Sequence, residues 1–258
     1  MELGIAGRKA IVCASSRGLG RACAQALAAA GCEVVINGRD GTVLEATAAE
    51  LRAGGAKVTA VQGDVGTAEG QAALFRACPE PDILVNNNAG PPPRDFRELT
   101  RAQMLEGATA NMVVAIELIQ KAIGPMMARK FGRIINITSG AVKLPQAGLD
   151  LSSAARGGLT IFVAGVARQV AEQNVTINNL LPGAFETDRL KTVLGAAAKR
   201  KGGTYDEAKA ERIASIPAKR LGELGEFGAT CAFLCSVPAG FITGQNIVID
   251  GGAFPGAF

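Results

Sequence analysis

Short apolar runs alternate along the chain with longer, alanine-rich stretches whose apolar positions recur with a helical period. The apolar runs are rich in Val and Ile, which favour β-strands. They predict seven strands, at residues 10–14, 33–37, 57–62, 83–86, 133–138, 175–180 and 246–249. Several of these runs are apolar at consecutive positions, as expected for strands that are buried on both faces of a sheet.

A helix fits between each pair of successive predicted strands. Strand, helix and strand in succession form a right-handed crossover, which leaves the two strands parallel. The pattern therefore predicts an α/β fold of the Rossmann type, a doubly wound parallel sheet of about seven strands with helices on both faces. A chain of 258 residues can form one such unit, and we expect residues 1–258 to be a single domain.

Two segments interrupt the alternation. The run Gly90-Pro91-Pro92-Pro93 follows the fourth strand, and an insertion rich in Lys, Glu and Ala spans about residues 185–225, between the sixth and seventh strands. Ligands of doubly wound sheets bind beyond the carboxyl ends of the strands. Because the insertion follows a strand, we expect it to be a helical lid over a substrate.

Composition narrows the possible functions. The 27 basic and 23 acidic residues give a net charge of only +4, and the basic residues are scattered, so a nucleic-acid partner is not expected. The start of the chain does not resemble a signal peptide, and no apolar run is long enough to span a bilayer. We therefore expect a soluble, cytoplasmic protein without a membrane partner.

The chain has no histidine, which excludes imidazole acid–base chemistry, histidine-ligated metals and Ser-His triads. Its six cysteines form no CxxC pair, and a chain of this length does not need disulfides to fold. We expect them to be buried thiols. No metal site is predicted.

The first predicted strand leads into a glycine-rich turn, Ser15-Ser16-Arg17-Gly18-Leu19-Gly20, and then into the start of a helix. Glycines at such a turn let the backbone approach a pyrophosphate, and the N–H groups at the helix N-terminus bind it. The turn therefore predicts a dinucleotide site. Taken alone, it is also compatible with a purely structural turn.

Further motifs follow this turn in order along the chain. Asp64-Val65 follows the third strand, Asn87-Asn88-Ala89-Gly90 the fourth, with Asn86 before it, and Pro182-Gly183 the sixth. Residues 242–245 read Ile-Thr-Gly-Gln and residues 250–252 read Asp-Gly-Gly, on either side of the seventh strand. Together with residues 13–20, these motifs resemble those of the short-chain dehydrogenase/reductase family over essentially the whole chain. Within that family, the resemblance is greatest to the 3-oxoacyl-[acyl-carrier-protein] reductases.

The resemblance implies a bound nicotinamide dinucleotide. In the family, the glycine loop binds the pyrophosphate, the acidic–apolar pair holds the adenine, and Thr187 corresponds to a residue that contacts the phosphate or the carboxamide. Carried over to this sequence, the cofactor-binding residues are Ser15, Ser16, Arg17, Gly18, Leu19, Gly20, Arg39, Asp64, Val65, Asn88, Ala89, Gly90, Arg156, Pro182, Gly183 and Thr187.

Two arginines bear on the choice of cofactor. Arg39 follows the second strand, where an NAD-selective site usually carries a carboxylate for the ribose 2′-hydroxyl, and Arg17 lies in the glycine loop. Guanidinium groups suit a 2′-phosphate, so NADP(H) is expected rather than NAD(H), although Asp40 argues the other way.

Ala14 replaces the glycine that opens the family's loop, and its methyl group strains the turn if φ is positive there. We expect weaker binding at most.

The resemblance also implies a catalytic Asn, Ser, Tyr and Lys, the last two as YxxxK. Asn111 matches the Asn and Ser139 the Ser, whereas Ser152 occupies the Tyr position and Arg156 the Lys position. The only tyrosine of the chain is Tyr205, within the predicted lid. The predicted catalytic residues are therefore Asn111, Ser139, Ser152 and Arg156, without the phenol that normally donates the proton.

Several sources of the missing proton remain open. Arg156 can hold the nicotinamide ribose or stabilise an alkoxide, but its guanidinium does not deprotonate near neutral pH. The proton can come from water, by way of Ser152 and the cofactor ribose, from Lys143, or from Tyr205 if the lid closes. Asp150 and Asp188, each near an arginine in the sequence, are expected to be ionised structural residues.

Three functions are compatible with the sequence. The first is an NADP(H)-dependent oxidoreductase that reduces a ketone or 3-oxoacyl thioester, or oxidises the alcohol, at a non-standard site. The second is a catalytically degenerate NADP(H)-binding protein that acts as a sensor or partner subunit. Halohydrin dehalogenase-like lyase chemistry ranks last, because those relatives keep the Tyr and lose the dinucleotide loop. The resemblance also implies a homotetramer or homodimer, and the sequence does not specify the substrate.

Overall fold

The computed structural model describes residues 2–256, which form a seven-stranded parallel sheet in the order β3-β2-β1-β4-β5-β6-β7. The strands are β1 (Lys9–Val12), β2 (Glu33–Gly38), β3 (Val58–Gln62), β4 (Ile83–Asn86), β5 (Gly132–Ile137), β6 (Val175–Pro182) and β7 (Asn246–Ile249). The described α-helices are α1 (Gly18–Ala29), α2 (Gly41–Ala53), α3 (Ala68–Ala77), α4 (Arg101–Ala108), α5 (Val114–Ala128), α6 (Asp150–Val170), α7 (Asp188–Lys201), α8 (Tyr205–Ser215) and α9 (Leu224–Leu234).

Helices cover both faces of the sheet. On one face, Leu27 of α1 and Phe227 of α9 are fully buried in the same apolar cluster as the strands. On the other face, Leu74 of α3 and Val163 of α6 are fully buried in a second cluster. Each such side chain contributes about 1.5–3 kcal/mol by leaving water. The predicted doubly wound α/β fold is confirmed.

Two strand ends differ from the prediction. Strand β1 ends at Val12 and not at residue 14, because Ala14 has φ of 43°, which ends the extended conformation. Strand β6 continues past residue 180 to Pro182, which pairs with Ile249 of β7. Proline is tolerated there because the Gly183 N–H, just beyond it, donates the next hydrogen bond to the Ile249 carbonyl at 2.8 Å.

The insertion after β6 forms helices α7 and α8. Thr187 caps α7 by accepting a hydrogen bond from the Leu190 N–H, and Thr204 forms a capping box with Glu207 at the start of α8. The two helices share a small apolar cluster of their own, around Leu194 and Ala208. Their role as a lid stays a prediction.

All six cysteines are buried and unpaired, as predicted. Burial raises the pKa of the Cys13 thiol to about 12, which keeps it protonated. None of the helices within residues 2–256 combines the length and the apolar character needed to cross a bilayer.

Four asparagines form a hydrogen-bonded row across β4, β5, β6 and β7. The Nδ2 group of Asn86 donates to Oδ1 of Asn136 at 2.8 Å, Asn136 donates in the same way to Asn179 at 3.0 Å, and Asn179 donates to Asn246 at 2.8 Å. These residues are direct register partners in neighbouring strands. The row therefore links four strands at the edge where the Asn87–Gly90 turn begins.

We expect Asn136→Leu to destabilise the fold by about 2–4 kcal/mol, because it removes the donor to Asn179 and the acceptor of Asn86, and each buried polar group left unpaired costs about 1–3 kcal/mol. Urea-induced unfolding measures the change. Asn246→Leu, at the end of the row, removes the acceptor of Asn179 alone and is expected to cost about half as much. Equal losses in the two variants would contradict the row as a stabilising unit.

Candidate active site

The glycine-rich loop joins the end of β1 to the start of α1. Gly18 has φ of 56°, a conformation that favours glycine. A Cβ atom on Gly20 would lie 2.4 Å from the Ala14 carbonyl oxygen, so only glycine allows the helix to approach the strand so closely. Arg17 precedes the helix in an extended conformation, and the first N–H groups of α1 are open to a ligand.

The backbone of Ala14 is strained. The sequence left open whether its φ is negative or positive, and in the structure φ is 43°. An L-residue in this region costs about 1–2 kcal/mol relative to a right-handed conformation. The strain is held by the neighbouring contacts, since the Ala14 N–H donates to Asn37 Oδ1 at 3.3 Å and its carbonyl accepts from Asn87 Nδ2 at 3.1 Å.

A cleft of about 480 Å³ opens beside this loop, at the carboxyl ends of β1 to β4. It is lined by residues from all four strand ends: Ala14, Ser16, Arg17, Asn37, Gly38, Arg39, Gly63, Asp64, Val65, Asn88 and Ala89. Seven of these were predicted as cofactor residues. Ala14, Asn37, Gly38 and Gly63 were not assigned to the cofactor from the sequence, and their position at or just beyond the carboxyl end of a strand is the signal that identifies them. The glycine loop and two arginines along one cleft fit the phosphates of a dinucleotide.

The side chain of Ser15 does not face this cleft. It is fully buried, its hydroxyl donates to the Val12 carbonyl at 2.6 Å, and it accepts from the Asn37 N–H at 3.0 Å. Of the residues predicted to bind the cofactor, Ser15 therefore has its hydroxyl committed to holding the loop on the sheet.

Arg17 and Arg39 both line the cleft, and each forms only weak ion pairs there. Arg17 lies 3.6 Å from Asp40 and 3.9 Å from Asp188, and Arg39 lies 3.8 Å from Asp64. The side chains are mostly exposed, so these pairs contribute little and can yield to a phosphate. Asp40, which argued for NAD(H) in the sequence, caps α2 by accepting from the Thr42 and Val43 N–H groups.

The remaining cofactor residues also lie around the loop. The methyl group of Thr187 is 3.5 Å from the position that a Cβ on Gly18 would occupy, so the start of α7 lies against the glycine loop. The Pro182 carbonyl oxygen is 3.3 Å from the corresponding position on Gly140. Leu19 packs against the apolar core.

Three of the predicted catalytic residues form one hydrogen-bonded chain. Nε of Arg156 donates to the Ser152 hydroxyl at 3.2 Å, which donates to Oδ1 of Asn111 at 3.0 Å. Nδ2 of Asn111 in turn donates to the Ala89 carbonyl at 3.3 Å. Asn111 lies in a π-helical turn, Thr109–Val113, a distortion that is frequent at functional sites. The chain thus connects α6 with the wall of the dinucleotide cleft.

Ser139, the fourth predicted catalytic residue, lies at the carboxyl end of β5. Its hydroxyl oxygen accepts from the Ala141 N–H at 3.1 Å, and in the described part of the chain its proton is not donated to any acceptor. Nη1 of Arg156 donates to the Ile137 carbonyl at 2.8 Å, two residues before Ser139. The guanidinium group is therefore fixed between Ser152 and the end of β5.

Burial, together with the nearby positive charge of Arg189, lowers the pKa of Arg156 to about 10. The group is still a cation at neutral pH. Its protonated form is lost only as the pH rises through about 10. Arg156 is thus a fixed positive charge between the Ser152 hydroxyl and the end of β5, the strand that Ser139 follows.

A sequence profile of the family described as Enoyl-(Acyl carrier protein) reductase matches residues 13–253 of the chain. The chain belongs to the short-chain dehydrogenase/reductase family. Among its relatives is the NADPH-dependent reductase BacG of Bacillus subtilis (strain 168), which is 32% identical over 252 residues and is matched over 97% of its length by 95% of this chain. The 3-oxoacyl-[acyl-carrier-protein] reductase FabG of Aquifex aeolicus (strain VF5) is 31% identical, with 98% of this chain and all of FabG covered.

A solved structure of the same fold contains the cofactor. The crystal structure of L-sorbose reductase from Gluconobacter frateurii, complexed with NADPH and L-sorbose, superposes with a TM-score of 0.92 at 27% identity, over 99% of this chain and all of that one. The family and the fold predicted from the sequence are confirmed, and the predicted cofactor, NADP(H), is the one named for BacG and the sorbose reductase.

The other side chains that the sequence offered as proton donors or acids make contacts of their own. Tyr205 packs in the apolar cluster between α7 and α8. Nζ of Lys143 lies 5.4 Å from the centre of the Phe254 ring. Asp188 is 3.7 Å from Lys191, and Asp150 accepts from the Gly148 N–H at 3.1 Å.

Arg189, beside the predicted catalytic residues, was also not predicted. Nη2 of Arg189 lies 3.6 Å from the position that a Cβ on Gly90 would occupy, and Oγ of Ser152 and Oδ1 of Asn111 lie at the same distance from that position. Arg189 is the second residue of α7, where a cation is opposed by the helix dipole. That unfavourable placement is the signal by which the sequence could have pointed to it.

Proposed function

We propose that the chain is an NADP(H)-dependent oxidoreductase that reduces a ketone or 3-oxoacyl thioester, or oxidises the corresponding alcohol, without a tyrosine acid. The observation that carries the proposal is the Arg156–Ser152–Asn111 hydrogen-bonded chain, which ends at the wall of the dinucleotide cleft. BacG is an NADPH-dependent reductase and FabG a 3-oxoacyl-[acyl-carrier-protein] reductase, so the proposed activity is of the same kind as theirs.

Different residues of the cleft bind different parts of the cofactor. The N–H groups at the start of α1 and the glycine loop receive the pyrophosphate, Asp64 and Val65 receive the adenine, and Arg17 and Arg39 receive the 2′-phosphate. NADPH supplies the hydride when it is bound. Thr187, against the glycine loop, closes the site from the side of α7.

Ser139 and Arg156 act on the carbonyl oxygen. Ser139 has a free hydroxyl proton with which to hold that oxygen, and the Arg156 guanidinium stabilises the negative charge that develops on it. Ser152 donates its proton to Asn111, so it orients Arg156 and does not serve as the acid. We propose that water delivers the final proton. Loss of a general acid removes about 10²- to 10⁴-fold in rate, which predicts slow turnover.

Helices α7 and α8 are proposed to form the substrate lid of a single domain spanning residues 1–258. The partner at the site is proposed to be a small molecule or an acyl thioester. We also propose a cytoplasmic location, because six buried, unpaired thiols suit a reducing compartment.

The hydrogen bonds from Arg156 to Ser152 and from Ser152 to Asn111 also favour a second candidate, an NADP(H)-binding protein without turnover. The Ser152 proton is already donated to Asn111, so the site contains no uncommitted acid at the position of the family tyrosine. Single-turnover reactions with NADPH deuterated at C4 discriminate between the two. Deuterium in the product supports the oxidoreductase, and tight NADPH binding without transfer to any of a broad panel of carbonyl compounds supports the second candidate.

The choice of cofactor is tested by Arg39→Gln. We expect the Kd for NADPH to rise about 10- to 100-fold, because a charge-assisted hydrogen bond to phosphate contributes about 1.5–3 kcal/mol, and we expect the Kd for NADH to be unchanged. Titrations followed by NADPH fluorescence measure both constants. Arg52→Gln, at the exposed end of α2, is the matched control. Equal losses for both cofactors would argue against a 2′-phosphate site at Arg39.

The role of Arg156 is tested by its charge. We expect kcat/KM for carbonyl reduction to be flat from about pH 6 to 9 and to fall as the pH rises through the pKa of Arg156, about 10, because the protonated form is the active one. Arg156→Gln is expected to lower kcat by about 10²- to 10³-fold and to abolish this alkaline limb. Arg168→Gln, an exposed position on the same helix, should leave both unchanged. A fall in kcat/KM as the pH rises through neutrality would instead reveal a conventional proton donor.

We propose that the chain forms a homotetramer or homodimer through the outer face of α6. Ile161 on this face is 78% exposed, and its neighbours Ala154, Ala164 and Gly165 are small and exposed. We expect light scattering to give the mass of an oligomer, and Ile161→Lys to shift it towards the monomer, because a charge at a close helix contact is costly. A monomeric wild-type protein would contradict the proposal.

A further inference from the structure

The substrate side of the site is unusually cationic. The guanidinium group of Arg156 donates to Ser152, and Nη2 of Arg189 and Oγ of Ser152 each lie 3.6 Å from the position that a Cβ on Gly90 would occupy. Within residues 2–256, neither arginine forms an ion pair. Arg189 makes one hydrogen bond there, from Nη2 to the Pro91 carbonyl at 2.8 Å.

The nearby carboxylates are directed elsewhere. Asp188, next to Arg189 in the sequence, pairs with Arg17 and Lys191, and Asp150 receives the Gly148 N–H. Two further cations border the same region. Arg94 lines the small cavity beside Ser152, and Nη1 of Arg200 lies 3.9 Å from the position that a Cβ on Gly148, another residue of that cavity, would occupy.

Two partly desolvated guanidinium groups close together repel each other, and their repulsion is relieved when an anion binds between them. A planar carboxylate matches the fork of an arginine side chain with two hydrogen bonds. Because Arg189, Ser152 and Asn111 each lie 3.6 Å from one position beside Gly90, an anion bound there would lie a short distance from the carbonyl group on which Ser139 and Arg156 are proposed to act. A 3-oxoacyl thioester has no charge at that distance.

We infer that the substrate is a 2-oxo or 3-oxo acid, whose carboxylate is bound by Arg189 while the neighbouring carbonyl group faces Ser139 and Arg156. This inference rests on the proposed reductase function for its reaction, but the binding of the carboxylate does not depend on turnover. Arg189 is held there by the Pro91 carbonyl, to which Nη2 donates, and the same nitrogen lies 3.6 Å from the position that a Cβ on Gly90 would occupy.

The binding arm uses oxalate and malonate, which resemble such acids and cannot be reduced. Each is titrated into the complex with NADPH and followed by cofactor fluorescence, with inorganic phosphate in parallel. We expect both dicarboxylates to bind more tightly than phosphate. We expect Arg189→Gln to raise their Kd about 10- to 100-fold without changing the Kd of NADPH, and Arg189→Lys to restore part of the affinity. Lys199→Gln, an exposed cation on the same helix, is the matched control.

The kinetic arm compares 2-oxo and 3-oxo acids with their methyl esters and with 3-oxoacyl thioesters. We expect the acids to have at least a tenfold higher kcat/KM, and Arg189→Gln to remove this advantage mainly through KM while the rate on esters stays the same. Preference for thioesters or esters, or tighter binding of phosphate than of both dicarboxylates, would overturn the inference and leave the reductase function standing. Arg189-dependent binding of oxalate without any carbonyl reduction would overturn the reductase function and leave the anion site standing.

Discussion

Strand β1 lies between β2 and β4, so the chain leaves β1 and β4 in opposite directions, towards the two faces of the sheet. This reversal opens a crevice at the carboxyl ends of the central strands, and every part of the site depends on it. The glycine loop follows β1, Arg39 follows β2, Asp64 follows β3 and the Asn87–Gly90 turn follows β4. The row of asparagines from Asn86 to Asn246 keeps the neighbouring strand ends in register, so that Ser139, after β5, shares the same edge.

The sequence predicted this framework well because its signals are local. Consecutive Val and Ile residues mark buried parallel strands, and the motifs follow the strand ends at which ligands bind. The end of β1 was misplaced because alanine is not a residue from which a positive φ is expected, and Ala14 adopts it only under the constraint of its neighbours. The sequence placed Ser15 in the cofactor loop, but a loop motif does not tell which way a side chain points, and the Ser15 hydroxyl is turned into the sheet.

Arg189 escaped prediction for a different reason. It lies in the insertion after β6, where no motif fixes the alignment, and its position matters only because α7 folds back across the Pro91 carbonyl. Contacts between segments about a hundred residues apart leave no periodic signal in a sequence. The hydrogen bond from Ser152 to Asn111 is similar, since spacing placed both residues at the site but did not show that the serine proton is already committed.

By resemblance to the family, Ser152 and Arg156 occupy the positions of the tyrosine and the lysine, and on the proposed mechanism this difference changes the chemistry in a coherent direction. A phenol and an ammonium group share a proton, whereas a guanidinium group supplies only fixed charge. Fixed charge stabilises an alkoxide but does not protonate it, so the proton must come from water and the site must stay accessible on the substrate side. The shorter side chain of Ser152 frees space beside Gly90, and the cations that stabilise the oxygen also surround that space. On the proposed mechanism, electrostatic attraction for an anionic substrate and stabilisation of the developing charge are therefore two effects of the same pair of arginines.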